Sequence, residues 1–223
     1  MEDKVLLDVQ GLKTYFHTFK GVVKAVDNVS FSLKEGEILG IVGESGSGKS
    51  VTSFSILKLV EDPGVVDADH IMFDGKDLAK ISERDMSKIR GKDISMVFQD
   101  PMTSLNPIIT IGKQITSVIM KHQDCTENEA RLRALDLMDK VGIPNPEARF
   151  DDYPFQYSGG MRQRIVIAIA LSCQPKILIC DEPTTALDVT IQAQILKLLK
   201  DLQKEFNYTI VFITHDLGVV ANI

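Results

Sequence analysis

Residues 38–50 read Ile38-Leu39-Gly40-Ile41-Val42 followed at once by Gly43-Glu44-Ser45-Gly46-Ser47-Gly48-Lys49-Ser50. The apolar run that ends at Gly43 predicts a buried parallel strand, and residues 49–60 after the loop are predicted to be helical. Glycines let the loop curl until its backbone N–H groups face an anion, and the start of the helix adds favourable potential there. This strand–loop–helix segment therefore predicts a P-loop that binds the phosphates of a nucleoside triphosphate.

Different residues of the loop are expected to bind different parts of a triphosphate and its metal ion. Lys49 is expected to reach the β- and γ-phosphates, and the Ser50 hydroxyl is expected to ligate Mg²⁺. The alternative is a Gly/Ser-rich turn with no ligand, which the flanking strand and helix disfavour. The predicted phosphate-binding set is Gly43, Ser45, Gly46, Ser47, Gly48, Lys49, Ser50 and Val51.

A second strand ends in two carboxylates. Ile177-Leu178-Ile179-Cys180 precedes Asp181 and Glu182. Burying this strand would deliver both acids to its carboxyl end, where open α/β sheets bind ligands. We expect Asp181 to hold Mg²⁺ and Glu182 to act as the general base toward water. An apolar strand that merely ends in Asp-Glu is common, so the prediction depends on the P-loop beside it.

Composition restricts the class of protein. The chain has 223 residues, a mass of 24.7 kDa and a formal net charge of −6, which gives no reason to expect a nucleic-acid partner. The longest apolar run, residues 165–171, is much shorter than a membrane span, and the N-terminus shows no secretory signal. The three cysteines are scattered and lack metal-ligand spacing, so we expect reduced thiols in a cytoplasmic protein.

The rest of the chain predicts a sheet interrupted by helices. Residues 5–9 and 26–33 alternate like antiparallel strands. Residues 94–98, 176–180 and 209–213 look like buried strands, and residues 101–171 turn helical. Thr126 and Glu129 form a capping-box pattern, followed by Leu132, Leu135, Met138 and Val141 at helical spacing.

Ser158-Gly159-Gly160 precedes an apolar helix over residues 161–171. Ser158 is a good N-cap, and the two glycines expose backbone N–H groups. Alone, this is the pattern of a capped core helix. Together with the P-loop and the acidic strand, it resembles the signature motif of the ATP-binding cassette (ABC) family, and the resemblance covers nearly the whole chain.

The resemblance implies further site residues. Gln99 looks like the Q-loop glutamine that senses the γ-phosphate or Mg²⁺, and His215 looks like the switch histidine. Residues 185–188, ending in Asp188, look like the D-loop along a dimer seam. Tyr15 is similar to the aromatic that stacks on adenine, with Phe16 as a competitor. The signature residues implied to bind nucleotide are Tyr157, Ser158, Gly159, Gly160 and Met161.

The implied fold is α/β, that of a P-loop NTPase. A RecA-like, mostly parallel core with an antiparallel β subdomain occupies residues 1–98 and 172–223, and a helical subdomain occupies residues 99–171. The whole chain would form one nucleotide-binding domain. Members of this group normally continue past this point, so the family's C-terminal region is expected to be absent and the chain to be a fragment or truncated form.

The particular residues in these motifs indicate a subgroup within the ABC family. Tyr157-Ser158-Gly159-Gly160-Met161-Arg162-Gln163-Arg164, with the segments at 12–16 and 98–107, resembles the ATPase subunits of dipeptide and oligopeptide importers. Nickel and glutathione importers use similar subunits and stay open as alternatives. The implied cofactors are ATP and Mg²⁺. The implied partners are a second ATPase subunit, identical or paralogous, transmembrane permease subunits and, indirectly, a solute-binding protein. The implied location of this chain is the cytoplasmic face of the membrane.

Two other functions compete. A soluble ABC protein of DNA repair would need a long coiled coil between Gln99 and Ser158, and one of translation would need tandem cassettes, whereas each motif occurs once. A cassette that binds nucleotide as a clamp without turnover is disfavoured by the presence of Glu182 and His215.

Overall fold

The computed structural model describes residues 4–185 and 187–220. The described residues form two β-sheets, with α-helices between several of their strands. One 3₁₀ turn covers Pro154–Gln156. The strands are β1 Val5–Thr18, β2 Gly21–Lys34, β3 Ile38–Val42, β4 Gly64–Asp67, β5 His70–Phe73, β6 Lys76–Asp77, β7 Ile94–Val97, β8 Ile177–Asp181 and β9 Thr209–Thr214. The helices are α1 Lys49–Ile56, α2 Glu83–Ile89, α3 Pro101–Ser104, α4 Ile111–His122, α5 Glu127–Lys140, α6 Pro146–Arg149, α7 Gly159–Leu171, α8 Val189–Phe206 and α9 Leu217–Val220.

The first sheet is antiparallel and is organised around β1. This long strand pairs with β2, β4 and β5, and β6 extends the sheet from β5. The antiparallel strands predicted at residues 5–9 and 26–33 are confirmed, and both continue further than the alternating pattern showed. Bulges in the β1–β2 pairing let the ribbon keep its hydrogen bonds while it bends.

The second sheet is parallel, with the strand order β3-β9-β8-β7. The strand expected at residues 38–42 has the predicted bounds and direction, but the prediction that it is buried is wrong. Its residues are half-buried or exposed because, within the described residues, β3 pairs on one side only. By contrast, β8 and β9 lie inside the sheet and are buried along their whole length.

Alternate residues of the parallel sheet belong to two separate cores. Ile177 and Ile179 of β8 pack with the antiparallel sheet, α1 and α2. Leu178 and Cys180 face the other way and pack with α4, α5, α7 and α8. Burying both faces of a parallel sheet in this way leaves its carboxyl edge, where β3, β7, β8 and β9 end, as the natural place for a ligand.

Helix α1 is shorter than the predicted helix at residues 49–60 because a Schellman motif ends it. Lys58 has a φ of 51°, the amide of Leu59 donates to the carbonyl of Phe54, and that of Lys58 donates to Ser55. Lys58 Nζ also donates to the carbonyl of Ile81 at 2.7 Å, which connects the end of α1 to the segment just before α2.

Helices α3 to α7 lie between β7 and β8, as the helical pattern predicted. The capping box of Thr126 and Glu129 is present at the start of α5. Division of the chain into domains at residues 98/99 and 171/172 stays a prediction. Across residues 4–185 and 187–220, no helix has both the length and the apolar character that crossing a membrane requires.

Candidate active site

The loop between β3 and α1 wraps around the side chain of its own lysine. Lys49 Nζ donates to the carbonyls of Gly43 and Glu44, both at 2.7 Å, and the lysine is buried. Gly48 has a φ of 91°, and a Cβ atom placed on it would lie 2.1 Å from the carbonyl oxygen of Ala25 in β2. A glycine is therefore required here both by conformation and by the close approach of β2.

Ser50 and Asp181 meet at the ends of α1 and β8. Ser50 Oγ donates to Asp181 Oδ1 at 2.9 Å. Burial raises the pKa of Asp181, the Ser50 hydrogen bond opposes that shift, and the neighbouring charge of Glu182 adds to it. A buried carboxylate beside a hydroxyl offers the hard oxygen ligands that Mg²⁺ prefers and would gain from a cation. The described residues contain no group of three or more His, Cys, Asp or Glu suited to a metal.

Glu182 is where the predicted catalytic residues meet. Its Oε2 accepts a hydrogen bond from Gln99 Nε2 at 3.3 Å and from Thr185 Oγ1 at 2.9 Å. His215 Nδ1 lies 3.1 Å from the same oxygen, and Lys49 Nζ lies 3.9 Å from Oε1. Residues far apart in sequence thus converge on one carboxylate beside the P-loop.

The backbone of Glu182 is in a conformation that few non-glycine residues adopt. Its φ is 45°, and its N–H donates to the carbonyl of Ile213 in β9 at 2.9 Å. The left-handed conformation of such a residue costs about 1–3 kcal/mol and is concentrated at functional sites. Anchoring to β9 fixes Glu182 at the carboxyl edge of the parallel sheet, next to His215, which follows β9.

The two candidates for stacking on adenine have different surroundings. Tyr15 is paired with Lys24 in the β1–β2 ribbon, its hydroxyl donates to Asp27, and Lys24 Nζ lies 5.2 Å from its ring centroid. Phe16 packs against β4, since a Cβ on Gly64 would come within 2.8 Å of its ring. Tyr15 is next to the part of β2 that touches the P-loop, and Phe16 is engaged elsewhere, which favours Tyr15.

The signature turn begins α7 as predicted. Ser158 caps the helix, accepting from the amide of Met161 at 3.4 Å, and both Ser158 and Gly159 are exposed. Among the described residues, no hydrogen bond joins the segment 158–161 to the P-loop or to Glu182. The structure therefore brings Gln99, Asp181, Glu182 and His215 to the P-loop, and leaves the signature turn apart from them.

Other predicted site residues have structural contacts of their own. Tyr157 is buried, which raises its pKa to about 12, and its hydroxyl donates to the carbonyl of Arg149 at 2.7 Å. Its side chain therefore points into the protein. Asp188 is the N-cap of α8 and accepts from the amide of Ile191 at 3.0 Å. Met161 packs at the margin of the helical core. Ala186 of the predicted D-loop lies outside the described residues.

Sequence reasoning missed two contacts at the site. Thr185 falls within the predicted D-loop, but its hydroxyl bond to Glu182 was not predicted. The available signal is its position three residues after an acid at a strand end. Asp27, which accepts from the Tyr15 hydroxyl, had no signal, because the pairing depends on the register of a bulged ribbon.

The fold and the site define a P-loop NTPase, and comparison with known proteins places it more narrowly. Residues 26–185 match the family model described as ABC transporter, so the chain belongs to this family. Its structure is similar to the dimeric post-hydrolysis state of the ATP-binding cassette MJ0796 bound to ADP and Pi. That similarity has a TM-score of 0.85 at 29% identity and covers 97% of this chain and 90% of the other.

Similar sequences are ATP-binding proteins of peptide transport. The chain is 58% identical to the oligopeptide transport ATP-binding protein OppD of Bacillus subtilis (strain 168), covering 98% of this chain and 61% of that protein. It is 53% identical to the dipeptide transport ATP-binding protein DppD of Escherichia coli (strain K12), covering 97% and 66%. For AmiE of Streptococcus pneumoniae serotype 4 the identity is 56%, and the match covers 100% of this chain and 63% of the relative. The chain thus spans less than two thirds of the length of OppD and AmiE.

Proposed function

We propose that this chain binds and hydrolyses ATP at a site completed by a second ATPase subunit, and that the hydrolysis drives a membrane importer of di- or oligopeptides. The observation that carries the hydrolytic part is the convergence of Lys49, Gln99 and His215 on Glu182 beside the P-loop. The peptide-transport names of the similar proteins support the cargo class. Import of nickel or glutathione remains the alternative cargo.

Each group at the site has a role in phosphoryl transfer to water. The loop amides and Lys49 bind the phosphates, Glu182 orients and accepts a proton from the attacking water, and His215 and Gln99 contact the γ-phosphate. Ser50 and Asp181 would hold Mg²⁺, which neutralises charge on the phosphate oxygens. Little covalent chemistry is required of the protein, so positioning and charge stabilisation account for the rate.

Gly159 supports a site shared between two subunits. Its φ is not in the left-handed region, and a Cβ atom there would meet only Leu187 Cδ2, at an ordinary 3.9 Å. By comparison, a Cβ at Gly160 would lie 2.7 Å from Ile191 Cγ2. The fold therefore explains a glycine at 160 and leaves the one at 159 to an external contact. A γ-phosphate held at the exposed start of α7 by a partner's P-loop is such a contact.

The remaining partners follow from the family. Transmembrane permease subunits supplied by other chains would hold this subunit at the cytoplasmic face of the membrane, with a solute-binding protein delivering the cargo. The second ATPase subunit is either a copy of this chain or a paralogue. Nucleic acid is not expected as a partner.

Replacement of the proposed base tests the hydrolytic step. Glu182→Gln should lower kcat by about 10²–10⁴-fold, the range that a general base contributes, while ATP still binds. Glu129→Gln is the matched control, because glutamine also completes the capping box of α5. Phosphate release is measured with the transporter partners present. Equal rates for Glu182→Gln and the wild type would overturn the assignment of the base.

A mixing experiment tests whether the site is shared. Lys49→Ala disables one P-loop, and Gly159→Val blocks one signature turn with little effect on folding. Each variant alone should be inactive. In a mixed pair, one P-loop and one signature turn remain intact on opposite subunits, so activity should return in part. Where the native partner is a paralogue, one substitution is placed on each subunit. No recovery in either pairing would argue for a site within one chain.

A further inference from the structure

Gln163 is a buried amide with no hydrogen-bond partner among the described residues. It is 1% exposed, and both its Nε2 and its Oε1 are unpaired. Buried amides are nearly always satisfied, and an unsatisfied one costs folding free energy. The unpaired amide lies in the second turn of α7, the helix that begins at the signature turn.

The residues on either side of Gln163 are fully engaged. Arg162 donates to the carbonyl of Pro154 at 2.7 Å, and Arg164 donates to that of Val141 at 2.6 Å and to Gln194 at 3.2 Å. These bonds connect α7 to the 3₁₀ turn, to the end of α5 and to α8. Among the described residues, the amide of Gln163 adds no such bond.

The face of α7 that carries Gln163 begins beside the turn that connects β8 to α8. Gln163 lies three and four residues after Gly160 and Gly159, so all three share one face of α7. Gly159 is directed toward Leu187 and Gly160 toward Ile191. Gln163 therefore belongs to the face of α7 whose first turn lies against Leu187, before α8, and against Ile191, in the first turn of α8.

This connecting turn also carries the proposed catalytic base. Thr185 donates its hydroxyl to Glu182, and Glu182 has a positive φ. Two peptide hydrogen bonds close the turn, from Thr185 N to Glu182 O at 3.3 Å and from Leu187 N to Thr184 O at 3.1 Å. A small shift of this turn would present its peptide groups to a neighbouring amide.

We propose that Gln163 is a positioning residue that links the start of α7 to the turn holding Glu182, and that its amide gains peptide partners from that turn when two subunits close over ATP. The inference rests on the proposed function. The hydrogen bonds formed on closure then offset the free-energy cost of the unpaired amide. As a result, α7 and Glu182 of the same subunit move into place together. Gln163 contacts neither ATP nor the attacking water.

The test compares two buried unpaired groups. Gln163→Leu removes the amide at nearly constant volume. Ser53→Ala is the matched control, because Ser53 Oγ in α1 is likewise buried and unpaired. Removing either group should raise the thermal midpoint without nucleotide, by about 2–4 °C for each kcal/mol of relieved cost. Only Gln163→Leu should lower kcat, by about tenfold, within the range of coupling between sites. Affinity of a single subunit for a fluorescent ATP analogue should stay within about twofold.

A gain in stability with a loss of turnover is a result that a purely structural role does not produce. If the midpoint and kcat of Gln163→Leu both fall, the amide supports the fold and the proposal is wrong. If kcat is unchanged, the amide is idle and the proposal is also wrong. Gln163→Met, which is flexible and of similar length, is measured in parallel; failure of both variants to fold would likewise overturn it. If the wild type itself hydrolyses no ATP, the proposed function fails instead.

Discussion

Alanine substitution at two glycines of the P-loop would measure how rigidly β2 holds the loop. Gly46 and Gly48 have similar φ values of 82° and 91°. A Cβ atom at Gly46 would meet nothing within 4 Å, whereas one at Gly48 would lie 2.1 Å from the carbonyl oxygen of Ala25. Alanine substitution at the two sites therefore differs by one steric contact. That contact is with backbone, which cannot rotate away as a side chain can.

The expected losses follow from this difference. An L-residue in the left-handed conformation costs about 1–2 kcal/mol, and the added methyl group returns about 0.4–1 kcal/mol by restricting the unfolded chain. Gly46→Ala should therefore lower the free energy of unfolding by about 1 kcal/mol. Gly48→Ala must also displace β2 or the loop, which adds about 1–3 kcal/mol. The difference between the two variants isolates the contact between β2 and the loop.

Urea unfolding of both variants without nucleotide, followed by circular dichroism, measures the two losses under one set of conditions. The expected result is a larger decrease for Gly48→Ala, with the m-value unchanged. Equal losses would refute the reasoning, because they would mean that the loop yields to a backbone overlap at no cost. In that case the loop would not be a preformed cradle.

Three further predictions concern Asp181, the aromatic pair Tyr15 and Phe16, and Gly112. Asp181→Asn should raise the thermal midpoint at neutral pH, because burial raises the pKa of Asp181 and its charged form destabilises the fold. This gain in thermal midpoint should shrink as the pH falls through the raised pKa of the folded state. Mg²⁺-dependent hydrolysis should be lost at every pH. Tyr15→Ala should weaken binding of a fluorescent ATP analogue by about 5–150-fold, from the 1–3 kcal/mol of base–aromatic stacking, whereas Phe16→Ala should mainly lower stability. The reverse pattern would assign adenine to Phe16. Gly112→Ala should lower the free energy of unfolding by about 1–3 kcal/mol without changing affinity for the analogue, since its Cβ would lie 2.2 Å from the ring of Phe150; retained stability in urea would count against this overlap.

The convergence of residues at the site was largely predictable, because its members end parallel strands. Asp181 closes β8, Gln99 follows β7, and His215 follows β9. Parallel strands that share a sheet place their carboxyl ends along one edge. Motif spacing then indicated which polar residue to expect at each strand end. What the sequence did not show was the left-handed conformation of Glu182, which turns its side chain toward Lys49 and depends on a backbone bond to β9.

Helix faces and helix ends were predicted less well, for local reasons. In α5 the buried face contains Ala130, Ala134 and Met138, whereas Leu132 is 67% exposed. Small residues let α4 approach closely, so the core face is not the one with the largest apolar side chains. Helix α1 ends at a left-handed Lys58, a position where glycine is the usual signal. In both places a tertiary contact overrides the residue preference on which sequence patterns depend.

The polar groups proposed for catalysis already satisfy one another within the chain. Lys49 is bound to the carbonyls of its own loop, Ser50 to Asp181, and Glu182 to Gln99 and Thr185. Buried charges without partners would be costly, so this arrangement lets the site persist in a stable fold. For Glu182 to accept a proton from water at Oε2 it must give up donors there, and for Lys49 to hold two phosphate oxygens with its three N–H donors it must release at least one carbonyl. Binding and closure thus exchange one set of hydrogen bonds for another of similar strength. Under the proposed function, such an exchange keeps the free-energy difference between the inactive and the active arrangement of the site small. Binding of the partner's signature turn can then shift the equilibrium between the two arrangements.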